Sequence, residues 1–154
     1  MNEGVEPMTH FAIDRFYTCP NRGIEREHNL CHYFNIDRVT HDSVPYDKGS
    51  DLDIGDCHMS IKASRFTLMS GSTCKDCTTF DEIWTVYARN VHSNTFAYVT
   101  EDYIVYTMNL AEFKQFVYEF CGLERESQKN GGYLKIKCRA ESKKMLNWLR
   151  ERAS

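Results

Sequence analysis

The chain is short of the residues that break up or replace a packed core. Its 154 residues include three prolines and eight glycines, too few for a collagen-like or low-complexity chain. No apolar run approaches the roughly 20 residues a membrane-crossing helix needs, so no membrane partner is expected. The first residues, Met1 to Met8, are acidic and hold no apolar stretch of the kind a secretory signal carries. Cysteines number seven, and an odd count without an export signal fits reduced thiols in the cytoplasm better than a disulfide framework. What is present suits folding: 42% hydrophobic and 13% aromatic residues argue against disorder and for one ordinary core. With no internal repeat and no long linker, the expectation is a single domain over residues 1–154.

Charge is uneven along the chain. From Glu124 onward there are nine Lys and Arg against four acids, a net +5, so the first 123 residues carry −8 of the total −3. An acidic body with a basic final quarter suits an anionic partner, whereas the plainer interpretation is two solvated faces.

The order of elements follows from pattern. After an extended segment over residues 1–20, Asn21 is a good cap for a helix from Arg22 to Phe34, with Ile24, Cys31 and Phe34 on one face and Leu30 beside it. Asp51–Ile54 and Cys57–Lys62 alternate polar and apolar around Gly55-Asp56 and predict a hairpin. Strands are expected at Ile83–Arg89, Thr95–Val99 and Tyr103–Thr107 from their β-branched and aromatic content. Asn109 and Glu112 predict a capped helix with the stripe Phe113, Phe116, Val117 and Phe120. A polar loop from Glu124 to Gly132, a strand Tyr133–Cys138 and a helix over 140–152 complete a mixed α/β (α+β) fold, a central mixed sheet flanked by helices.

The hairpin is where chemistry is first expected. Period two puts Asp51 and Asp53 on one strand face, and Ser60 and Lys62 on one face of the next. A short hairpin brings one of the two aspartates beside Lys62, and a one-residue slip of register decides which. A carboxylate near a lysine can hold a divalent ion and position a water, the needs of phosphodiester hydrolysis; it can equally be a surface ion pair.

A helix containing Glu27, then Gly49-Ser-Asp51 at a strand start, then a strand ending in Ser60-Ile-Lys62, resembles the PD-(D/E)xK nuclease superfamily, which includes restriction endonucleases and resolvases. The likeness spans about Arg22 to Thr107. It implies a restriction-endonuclease-like sheet flanked by helices, and Mg²⁺-dependent DNA cleavage, with Mn²⁺ as a substitute ion. By position, Asp51 would bind the metal, the Ile61 carbonyl would be a further ligand, Lys62 would serve the attacking water, and Glu27 would complete the site. Two departures stand out: Ser60 occupies the place of the second acid, and no proline precedes Asp51. Glu27, ahead of Asp76 and Glu82, is the expected replacement carboxylate.

The remaining motifs are weaker. Cys74 and Cys77 form one C-x₂-C, a zinc half-site without a matching second half, so Zn²⁺ is not expected. Cys19, Cys31, Cys121 and Cys138 sit where small apolar residues would, as core thiols. His28 and His32 have metal-capable i, i+4 spacing but no third ligand beside them. Lys135, Lys137 and Arg139 share a strand face by period two and could contact phosphates, with Lys129 and Asn130 reaching a groove edge; the competing interpretation is an edge strand guarded by lysines. The expected function is a metal-dependent DNA endonuclease, with a homodimer as its candidate assembly. The alternative is a nuclease fold without catalysis that binds DNA or a nucleic-acid-processing protein, for instance a phage-type inhibitor of a defence nuclease.

Overall fold

Asn21 caps the first helix by accepting the Ile24 N–H, which satisfies one of the free amides of the first turn. The computed structural model describes residues 8–37, 51–68, 76–125 and 134–153. In these the order is β1 (Thr9–Ala12), α1 (Arg22–Tyr33), β2 (Leu52–Ile54), β3 (Cys57–Ala63), β4 (Thr67–Leu68), α2 (Phe80–Asn90), β5 (Thr95–Val99), β6 (Ile104–Met108), α3 (Leu110–Phe120), β7 (Cys121–Arg125), β8 (Leu134–Cys138) and α4 (Lys143–Arg152). The fold is α+β, with a mixed sheet flanked by helices.

A five-stranded sheet runs β1-β6-β5-β3-β2, and a second, three-stranded sheet runs β4-β8-β7. Every pair in the large sheet is antiparallel except β3 with β5, which lie parallel across the α2 crossover. The large sheet has two apolar faces. Leu52, Met59, Ala97, Val99 and Val105 meet Leu30 and Cys31 of α1 on one side. Phe96, Tyr98, Tyr106 and Met108 face the other, where Ile83 and Trp84 of α2, Phe113 and Phe116 of α3, Ile136 of β8, and Met145 and Leu149 of α4 cover them.

Three expectations are corrected. Glu124 and Arg125 end strand β7, paired with Lys135 and Leu134 of β8, and do not open a polar loop. Residues 83–89 are helical, within α2, because Thr79 caps the turn by accepting the Glu82 N–H and Ile83 and Trp84 bury one side of the helix; helical spacing of apolar residues outweighs their β propensity. Ile24 is 44% exposed rather than on the buried face of α1. That face carries Glu25 and Asn29 instead, both fully buried. Asn29 exchanges two hydrogen bonds with the Tyr17 main chain, and Glu25 accepts from Arg15 Nη2 at 2.8 Å and from the Cys19 N–H at 3.2 Å. These two polar side chains fasten the segment after β1 onto the helix, which supplies the hydrogen bonds that burial demands of them.

Candidate active site

The hairpin forms as the turn signal requires. Gly55 takes φ 57°, a left-handed angle suited to glycine in a two-residue turn, and sets Leu52 opposite Met59 and Asp53 opposite His58. Asp51 lies one residue before the start of β2. Opposed residues share a face, so Asp53, His58, Ser60 and Lys62 project to one side, and the Asp51 charge acts on Lys62 and Tyr87 there. The two aspartates then divide. Asp53 Oδ1 lies 2.7 Å from His58 Nδ1, at the turn. Asp51 lies next to the Ser60-Ile61-Lys62 triplet: its N–H donates to the Met59 carbonyl at 2.9 Å, and its Oδ2 accepts from the Ile61 N–H at 2.8 Å.

Strand geometry adds a carbonyl. The N–H and C=O of one residue leave an antiparallel strand on the same side, so the Ile61 carbonyl points to the edge where its N–H meets Asp51. Asp51 and the Ile61 main chain thus converge at the open end of β2. Lys62 is half-buried alongside Tyr98 of β5. Burial holds its ammonium below the usual lysine range, while the Asp51 charge pulls it back up. Tyr87 of α2 reaches the same neighbourhood: burial, and then the Asp51 charge, raise its phenol above the ordinary value. The β propensity of residues 83–89 conceals Tyr87 from a sequence reading, since only a helix turns its ring toward the hairpin.

Glu27 is not brought to this place. It lies on α1, one turn from Leu30 and Cys31, and these pack on the opposite face of the large sheet. The sheet stands between Glu27 and the Asp51–Lys62 side. Glu82 is occupied at the start of α2, where its Oε1 accepts from the hydroxyls of Thr78 and Thr79 at 3.0 Å each. Asp76 is exposed just ahead of that helix. Among the described residues no group of three or more His, Cys, Asp or Glu is arranged to hold a metal ion. The donors at the hairpin (one carboxylate, one carbonyl and the neighbouring Ser60 hydroxyl) fit a hard divalent ion such as Mg²⁺, which takes few protein oxygens and keeps several waters.

The basic row lies in the second sheet. Ile136 and Cys138 of β8 are buried, and Lys135 and Lys137 alternate with them on the outer face. Here β8 is the middle strand, so its lysines do not guard a sheet edge. Lys137 and Arg139 line a groove of about 460 Å³ with Arg65, Leu123 and Glu124, and Lys137 Nζ lies 3.7 Å from Glu124. Arg65 adds a cation that the sequence pattern did not reveal; it sits three residues after Lys62, at φ 66° in the turn that ends β3. Lys129, Asn130 and Cys74 lie outside the described residues. Cys77 is disulfide-bonded, which departs from the expected reduced thiols and removes the thiolate form that ligates zinc. No helix among the described residues is long and apolar enough to cross a membrane. Compared with family models, with curated proteins and with solved structures, the chain matches none.

Proposed function

We propose that the chain is a metal-dependent nuclease of the PD-(D/E)xK type, acting on DNA from the open end of the β2–β3 hairpin. The observation that carries this reading is the convergence of the Asp51 carboxylate with the Ile61 main chain, one residue from the half-buried Lys62. Asp51 and the Ile61 carbonyl would hold the Mg²⁺. The chemistry such an ion supplies when bound is Lewis-acid polarisation of the scissile phosphate. The remaining roles belong to the chain. The Ile61 N–H fixes one Asp51 oxygen, so the carboxylate is oriented before substrate arrives. Lys62 orients the attacking water, and its partial burial makes its proton easier to lose than that of a surface lysine. Arg65, Lys137 and Arg139 contact backbone phosphates, which position a duplex without reading its sequence.

A second reading rests on a specific observation. The place of the second acid is Ser60, 8% exposed, and Glu27 stands across the sheet. The same fold would then bind nucleic acid without cutting it. Supercoiled plasmid with Mg²⁺ or Mn²⁺ separates the two. Nicking that is abolished by EDTA, by Asp51→Ala and by Lys62→Ala supports the nuclease. Salt-sensitive binding without cleavage, indifferent to both substitutions, favours the binding protein.

A further inference from the structure

Cys121 and Cys138 are register partners in the β7–β8 ladder. The Cys138 N–H donates to the Phe66 carbonyl at 2.8 Å, so its main-chain polar groups face β4 and away from β7. Cys121 and Cys138 therefore form a non-hydrogen-bonded pair, the type in which opposed Cα atoms approach to about 4.5 Å and the side chains lie closest. A disulfide asks for Cα atoms about 4.4–6.8 Å apart. Both cysteines are free thiols. Cys138 is fully buried, while Cys121, which caps the C-terminal end of α3, is partly exposed.

From this geometry we infer that Cys121 and Cys138 are a reversible disulfide site, closed by thiol–disulfide exchange with a low-molecular-weight disulfide. The two thiols hydrogen-bond to each other, which raises the Cys121 thiol and holds Cys138 below the usual thiol range. The roles divide by exposure. Cys121 is the sulfur a reagent reaches; once Cys138 has lost its own proton to solvent, the Cys121 proton passes to it along the hydrogen bond, and the Cys121 thiolate attacks one sulfur of the reagent, expelling a small thiolate. Cys138 then loses that proton to the expelled thiolate, attacks Cys121 in the mixed disulfide and expels the second small thiolate, which takes a proton from solvent. Two protein thiols and one small disulfide become one protein disulfide and two small thiols. The bond would join the end of α3 to β8 and close the chain between residues 121 and 138.

The full chain, treated with oxidised glutathione, alkylated and digested, gives the test. The expected product is a peptide pair linking Cys121 to Cys138, lighter by two hydrogens than the reduced peptides and restored by dithiothreitol. In Cys138→Ala the reagent should remain on Cys121 as a stable mixed disulfide, because the sulfur that expels it is gone. In the unsubstituted chain, a stable mixed disulfide on Cys121 would overturn the inference. So would glutathione taken up at Cys19 or Cys57 while Cys121 and Cys138 stay reduced. The unsubstituted protein decides the matter even where Cys138→Ala folds poorly.

Discussion

Tyr103 donates its hydroxyl to the carboxylate of Glu25, joining the β5–β6 turn to α1 across 78 residues of sequence. Arg15 approaches the same carboxylate with two nitrogens, at 2.8 and 3.1 Å, and Arg22 Nε lies 3.4 Å away. A single acid, its side chain closed off from solvent, therefore ties three separate segments to one point.

The pH dependence of this cluster has a definite sign. Arg15, then Tyr103, hold the Glu25 carboxyl down to about 2, against an ordinary 4.5. Its contribution is fully present above pH 4.5 and is lost as pH falls from there through 2, because the unfolded chain takes up the proton first. Glu25→Gln should lower Tm at pH 7 and make the stability curve flatter between pH 4.5 and 2. Thermal melts of both proteins across that range check it; parallel curves would count against it.

Lys62 behaves in the opposite way. Burial lowers its pKa, so the unfolded chain binds the lysine proton more tightly than the folded one. The cost is complete at neutral pH and is relieved as pH rises toward the unfolded value of 10.5. Lys62→Met should raise Tm at pH 7, by about 2–4 °C for each kcal/mol recovered, with the gain shrinking at alkaline pH. In the proposed nuclease the same substitution should reduce cleavage by about 10²–10⁴-fold, the usual share of a positioned proton-transfer group. A Tm below that of the parent at pH 7 would show that Lys62 stabilises the fold instead.

Phe113 stacks on Phe96 with ring centroids 4.4 Å apart and planes within 5°, and both are buried. This stacking presses α3 onto the large sheet. Phe113→Ala should cost about 3–5 kcal/mol, read as a lower urea midpoint with unchanged slope. A loss under about 1 kcal/mol would mean that the pocket collapses around the gap.

The groove beside β8 predicts a salt effect. Replacing Lys137 and Arg139 together by alanine should weaken DNA binding. The dependence of log affinity on log salt should flatten by about 0.9 for each phosphate that the protein no longer neutralises. Arg65→Ala should act in the same direction. An unchanged salt slope in the double variant would place the DNA elsewhere.

Much of the scaffold is legible because it is written in local signals. Asn109 and Glu112 form the capping box expected of them, and Gly55 turns the hairpin that aligns Asp51 with the Ser60–Lys62 triplet. The face-sharing of Ser60 and Lys62 on β3 follows from period two alone. What escapes a sequence reading is set by packing at a distance. Ile83, Trp84 and Tyr87 favour strands by residue type, and only a cap at Thr79 with a sheet face to cover makes them a helix. Glu27 illustrates a second limit, because helix periodicity gives a face but not which side of a sheet the helix covers. Arg65 reaches its groove through a backbone turn that no spacing rule encodes, and β8 is a middle strand through pairing with residues some 70 positions earlier.

The position of β8 also governs the order in which the molecule can be put together. The last strand along the chain is the one that the other two of its sheet require. Thr67–Leu68 and Cys121–Arg125 have no ladder until Leu134–Cys138 arrives, and Phe96 and Tyr98 share their cluster with Met145 and Leu149 from still later. During synthesis from the N-terminus, one side of the large sheet is therefore only partly covered, by α2 and α3, until β8 and α4 have emerged. Until then such a nascent chain is exposed to wrong partners. Loss of the last helix would remove the closing side of the interior, not a peripheral extension.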